Sequence, residues 1–252
     1  LHNISNYFLY INLFTEPIKK LINFTEQFQN GYSGYTRFCE IIEINPVPSI
    51  RQLLKVPKYG HFSAVTDPQS LGRILKKIEA YDGYSSMRNA LRMIPYVFVR
   101  SNELRSARWE DIDFEACEWR YTVRKTNTPH IVPLAPQVMA ILEEQRKISG
   151  QYELVFPGYR DKTKVLAACT LSTALRSMGI SETEMTIHGF RATARTLLDE
   201  VLGERYEYIE HQLAHAVRDP NGRAYNRTEH LAERKRMMCR WADYLDELRS
   251  NA

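Results

Sequence analysis

Apolar positions recur at three- and four-residue spacing over several stretches of this 252-residue chain, and each such stretch predicts a helix with one buried face. Leu71, Ile74, Leu75 and Ile78 make the first, entered at Asp67-Pro68, an N-cap residue followed by proline at the first helical position. A second runs from about Ser85 to Val99, with Pro95 as an expected kink or break. Val138, Ile141 and Leu142 predict a third over 136–148. A short helix over 170–178 turns Leu171, Ala174, Leu175 and Met178 inward. One over about 188–202 stops at Gly203, another covers about 205–215, and the last spans 229–249 on a narrow stripe of Met238, Trp241, Leu245 and Leu248. The period shortens over 119–134, which reads as two short strands around a polar turn at Lys125–Pro129. Residues 154–157 (LVFP) form a short buried strand or loop, and Trp109, Trp119 and Trp241 are expected in the core.

The front of the chain reads differently. Residues 1–44 are rich in Asn, Phe, Tyr and Ile, and their apolar positions fit no clean period, so no element is predicted there. Residues 45–60 carry three prolines and a glycine and read as a linker. The expected organisation is an N-terminal segment with linker over 1–60 and one domain over 61–252, mainly α with a small antiparallel β-sheet (α+β).

Composition narrows the class. With 44% hydrophobic and 25% charged residues the chain is neither disordered, nor a collagen-like repeat, nor a disulfide scaffold. The formal net charge of +4 neither announces nor excludes a nucleic-acid partner. Its distribution says more. Residues 1–99 hold 11 basic and 7 acidic side chains, while residues 100–252 hold 23 of each. An anion site in the second part therefore has to come from placement. Cys39, Cys117, Cys169 and Cys239 are far apart and form no C-x-x-C pair, which speaks against a cysteine-paired zinc ribbon and for a reducing compartment. Leu1 to Phe14 is apolar but lacks a basic n-region and is too short to span a bilayer. The reading is a cytoplasmic protein with no membrane partner.

Four patterns carry chemistry together: Arg100-x-x-Glu103, Lys125 in the hairpin, His188-x-x-Arg191, and His215 followed ten residues later by Tyr225. Arginines present a planar fork to phosphate oxygens. His188 and Arg191 share a helix face. Tyr225 offers a hydroxyl nucleophile and Lys125 a proton donor on a turn. The set suits attack on a phosphodiester without a metal, with cations stabilising the transition state. Taken singly, each pattern reads as a solvated surface group or ion pair; order and spacing together give the set its force.

On these residues the chain resembles the tyrosine recombinases of the phage integrase family, closest to prophage and satellite-phage integrases. The likeness covers about His61 to Leu248. VRSNELRSARWEDIDF matches the family's first arginine box, RKTNTPHIVPL its lysine hairpin, TIHGFRATARTLLDE its second box, IEHQLAH the following histidine and GRAYNR the nucleophile. The resemblance implies the catalytic-domain fold of that family and the catalytic set Arg100, Lys125, His188, Arg191, His215 and Tyr225, with Glu103 supporting Arg100. It implies a 3′-phosphotyrosyl link on Tyr225, Lys125 as general acid on the 5′ oxygen, Arg100 and Arg191 clamping the non-bridging oxygens, His188 assisting proton transfer and His215 bonding the phosphate. Neither a cofactor nor a metal is implied. The implied partners are double-stranded attachment-site DNA, three further copies in a tetramer on that DNA, and an excisionase or host DNA-bending protein. The final helix, in family members, docks on a neighbouring protomer; packing on its own domain is the alternative.

Departures matter as well. Ser101-Asn102 stands where the family has Pro-Gly, which should alter the loop and leave the side chains in place. The match begins around INPVPSIRQLLKVPKYGHF, and residues 1–60 read as a truncated or degenerate segment, at most a remnant of a core-binding domain. A type IB topoisomerase shares the chemistry, and a DNA-binding remnant without strand exchange shares the residues. His211 and His215 lie four apart, as a helical metal pair does, with no obvious third ligand. Glu110, Asp111, Asp113 and Glu115 read as a solvated turn, and Arg195 as a DNA-backbone contact or an ion pair with Asp199.

Overall fold

The computed structural model describes residues 2–44, 63–123, 126–215 and 230–252. The chain divides into two compact units, Leu1–Gly60 and His61–Ala252.

Among its described residues the first unit holds one helix, α1 (His2–Ile44), where the sequence predicts no element. Phe24, Phe28 and Tyr32 stack along it at four-residue spacing, with ring centroids 6.3 and 6.4 Å apart. Ile22 and Phe38 add apolar surface outside that row, and both are exposed. None of its described side chains is buried, so nothing imposes a single apolar period on that stretch of helix.

The second unit is built from eight helices and one small sheet among its described residues. Helix α2 (Pro68–Glu79) starts where predicted: the Asp67 carboxylate accepts from Ser70 N at 2.8 Å. Leu71, Ile74, Leu75 and Ile78 are its buried face. Helix α3 (Ser85–Val97) ends two residues beyond Pro95, with Phe98 in the left-handed region (φ 36°) as its C-cap. The freed carbonyl of Pro95 accepts from Trp241 Nε1 at 2.9 Å. The short helix α4 (Ser101–Arg105) follows directly.

Strands β1 (Ile112–Asp113), β2 (Glu118–Val123) and β3 (Thr128–Pro133) form an antiparallel sheet in the order 1-2-3. Its hairpin is tighter than the sequence suggests, because Val123 pairs with Thr128 and Pro129 lies inside β3. Helix α5 (Pro136–Ser149) carries the buried Gln145, whose amide nitrogen donates to Ser86 Oγ (3.0 Å) and to the carbonyl of Val155 (2.8 Å). That bond pins the 154–157 segment, which is irregular apart from single bridges at Leu154 and Pro157.

Helices α6 (Thr170–Ser177), α7 (Gly189–Glu200), α8 (Tyr206–Gln212) and α9 (Leu231–Ser250) complete the unit. Met178 is the C-cap of α6 and only partly buried. Trp119 and Trp241 are core residues, whereas Trp109 is partly buried and donates to the carbonyl of Ser149. Helix α9 packs on its own domain. Met237, Met238, Trp241, Ala242 and Leu245 are all buried, and α2 approaches so closely that a side chain at Gly72 would strike the carbonyl of Leu248. No described helix is long and apolar enough to cross a membrane.

Candidate active site

Arg100 is the N-cap of α4 and Glu103 its third residue. One Glu103 oxygen accepts from Arg100 Nη1 at 3.0 Å; the other accepts from the Arg100 backbone N–H at 2.9 Å and from the Tyr121 hydroxyl at 3.0 Å. The carboxylate thus closes one orphan donor of the helix start and holds the guanidinium at the same time. Ser101 and Asn102 are simply the first two helical residues between them. Tyr121 comes from β2, so the sheet and α4 are joined at this carboxylate.

Helix α7 supplies His188 at its N-cap and Arg191 one turn on. Gly189 between them leaves no room for a side chain, because the carbonyl of Ser63 sits against it. Arg191 is buried, donating through Nη1 to the carbonyl of Phe98 (2.9 Å) and through Nη2 to that of Leu213 (2.7 Å). Both acceptors are C-cap residues, of α3 and α8. Two helix C-termini therefore turn their negative ends to one desolvated cation. Burial, and then the charge of Arg100, bring the Arg191 guanidinium down to about 10, which leaves it charged at neutral pH. Burial and the nearby charges of Arg191, Arg100 and His215 push the exposed-edge His188 imidazole below its ordinary value, so it is neutral there.

His215 is placed by the end of α8. Ala214 takes the left-handed conformation (φ 51°), His215 N bonds the carbonyl of Glu210 (3.0 Å) and Ala214 N that of His211 (3.1 Å). These are the two bonds of a Schellman turn, which folds the residue two past the C-cap back over the third-last helical residue. His215 Nδ1 accordingly lies 2.7 Å from Glu210 Oε2, and His215 Nε2 lies 3.3 Å from Arg191 Nη2. Arg195 pairs with the other oxygen of Glu210 at 2.7 Å, not with Asp199, because α8 packs against α7 at that point. Since His215 lies beyond the helix, it shares no face with His211, whose ring meets that of His230 at 5.9 Å. Among the described residues no group of three or more His, Cys, Asp or Glu is placed to hold a metal ion.

The structure thus brings Arg100, Glu103, His188, Arg191 and His215 to one place. Lys125 and Tyr225 lie outside the described residues; β2 and β3 bracket the first, and α9 begins after the second. Residues singled out by no sequence motif complete the surroundings. Arg234 of α9 is 1% exposed and donates to Gln212 Oε1 (2.7 and 3.2 Å) and to the carbonyl of Ile131. His130 of β3 is buried against the edge of Tyr121, with centroids 5.6 Å apart, and burial together with Arg234 pushes it down to about 3. Glu210 had one legible signal, an acid in the same IEHQLAH run as His215.

Comparison with known proteins bears on this arrangement. Residues 64–229 match the model of the phage integrase family. The chain is 37% identical over 254 aligned residues to the integrase of Enterobacteria phage P4, covering 91% of this chain and 58% of that one. It is 33% identical over 211 residues to the prophage integrase IntZ of Escherichia coli (strain K12), covering 83% and 51%. The chain spans about half the length of the curated relatives it matches. In fold it is similar to an integrase from mycobacterium phage Brujita (TM-score 0.53, 14% identity, 84% of this chain and 73% of that one). It is also similar to a lambda integrase, solved as a tetramer bound to a Holliday junction (TM-score 0.50, 20% identity, 75% and 58%).

Proposed function

The chain belongs to the phage integrase family, and on that premise we propose that it is a site-specific DNA recombinase, cutting and rejoining DNA through a 3′-phosphotyrosyl intermediate. The observation that carries this reading is the convergence of Arg100 and Arg191, each held from behind, beside two histidines. A pair of fixed guanidiniums is what a phosphate gaining charge needs, and it costs no reorganisation when the charge develops.

In this proposal the unit His61–Ala252 is the catalytic domain. The Tyr225 oxygen attacks the scissile phosphorus and the bond to the 5′ oxygen breaks. The phenolic proton passes to His188, whose neutral imidazole has a lone pair to receive it. Lys125 donates the proton that the departing 5′ oxygen takes up. Arg100, Arg191 and His215 bond the non-bridging oxygens, and Glu103 fixes the first of them. The phosphodiester energy is kept in the tyrosyl link, so rejoining is the same reaction reversed. The lambda integrase tetramer on a Holliday junction supports a like assembly, four copies on attachment-site DNA. An excisionase or host DNA-bending protein, in the cytoplasm, would choose between integration and excision of a prophage or genomic island.

The test is a nicked suicide duplex carrying the attachment core of its own element. The expected result is a covalent protein–DNA adduct that survives denaturation and is absent for Tyr225→Phe. DNA binding with no adduct from the unaltered chain would leave a non-catalytic DNA-binding protein. Relaxation of any supercoiled plasmid, without a core site, would make it a topoisomerase.

A further inference from the structure

We infer that Glu210 is a positioning residue for this reaction: anchored by Arg195, it holds the His215 ring with its proton on Nδ1 and so leaves Nε2 as the nitrogen that meets the phosphate. The inference rests on the recombinase reading and adds to it a residue that acts through His215.

The geometry is specific. Glu210 is the third-last residue of α8, His215 the second past its cap, and the Schellman turn superposes them. That place in the turn is ordinarily a contact between two apolar side chains. Here it is a buried carboxylate against an imidazole at 2.7 Å. A carboxylate only accepts, so Nδ1 must be the donor. Burial alone would raise the Glu210 carboxyl, but the hydrogen bonds from Arg195 and His215 outweigh it and hold it below the ordinary range, hence ionised. Arg195 Nε takes the other oxygen at 2.7 Å, so the carboxylate cannot rotate away. With Nδ1–H committed, Nε2 is the acceptor nitrogen on the site side, and it takes a hydrogen bond from Arg191 Nη2 at 3.3 Å. A phosphate oxygen only accepts, so its bond with Nε2 carries one further proton, drawn from solvent, in place of the bond from Arg191, and Glu210 stands behind the ring.

Two measurements test this on the full chain. Nitrogen-15 NMR of the DNA-free protein should show His215 as the Nδ1–H form, and Glu210→Met should shift it to the Nε2–H form. An Nε2–H ring in the unaltered chain overturns the inference. With the suicide duplex, Glu210→Met should slow cleavage about 10- to 100-fold at saturating DNA with binding unchanged. Glu210→Gln, which keeps an acceptor, should recover part of the loss and guards against a misfolded variant. In a His215→Asn background Glu210→Met should have less than about a twofold further effect. Losses that multiply, or a loss of DNA binding in place of rate, would assign Glu210 to the fold alone. If the unaltered chain cuts no duplex, the recombinase reading fails, and the NMR result still decides the ring assignment.

Discussion

Arg191 Nη1 donates to the carbonyl of Phe98 at 2.9 Å across 93 residues of sequence, and this bond ties the helix bearing the second arginine to the end of the helix that precedes the first. Phe98 stands two residues before Arg100, so its left-handed backbone both stops α3 and aims the carbonyl. The second bond of the fork, to Leu213, reaches the turn that presents His215. One guanidinium therefore sets the spacing of three site segments.

Replacing that fork with a point charge should fail. In Arg191→Lys a single ammonium cannot span both carbonyls, and one buried acceptor is left unpaired at a cost of about 1–3 kcal/mol. Urea unfolding should show that loss, and single-turnover cleavage should fall about 100-fold or more. Wild-type stability and rate together in this variant would contradict the role given to the fork.

Acid stability should depend on His130. Its folded value is about 3 against 6.5 for the free side chain, because burial disfavours the charged ring. Between those limits the unfolded chain binds the extra proton. Stability is therefore full above about pH 6.5 and is lost as pH falls, at up to about 1.4 kcal/mol per pH unit. His130→Gln should flatten the acid limb of a urea-midpoint series by about one proton. An unchanged slope would show that His130 does not carry it.

Arg234→Met should loosen the unit from its C-terminal helix. The substitution leaves Gln212 Oε1 and the carbonyl of Ile131 without their buried donor, at about 1–3 kcal/mol. Because Gln212 precedes the Leu213 carbonyl that holds Arg191, hydrogen exchange at the end of α8 should quicken more than at α2. Uniform quickening throughout would point to global destabilisation only.

Ala214→Gly should stabilise slightly. Alanine in the left-handed region costs roughly 1–2 kcal/mol, and the extra entropy of an unfolded glycine returns about 0.4–1 of it. A net gain of about 0.5 kcal/mol is expected in thermal or urea unfolding, and a loss would mean that the Cβ makes a contact worth more than the strain.

The helical faces were legible because they are local. Leu71, Ile74, Leu75 and Ile78 are buried as their spacing predicts, and Asp67 caps the helix they belong to. The strand pair around the polar turn followed from the change in period. Helix α1 was not legible, since none of its described side chains is buried and no packed face leaves a period to read over them. The choice of Glu210 over Asp199 as the partner of Arg195 was equally hidden: Asp199 is one helical turn away, Glu210 lies on the next helix, and only the packing of α8 on α7 brings it in.

What the sequence by itself determined is the order and type of the candidate site residues, the helical faces and strand pair around them, and the neutrality that forces any anion site to arise from placement. Tertiary structure alone decided what stands behind those side chains: the Phe98 and Leu213 carbonyls on Arg191, Tyr121 on Glu103, Glu210 on His215 and the docking of α9 on its own domain. The reason is physical. A backbone carbonyl is present at every residue and leaves no mark in the sequence, so its role exists only once the chain has folded a cation against it.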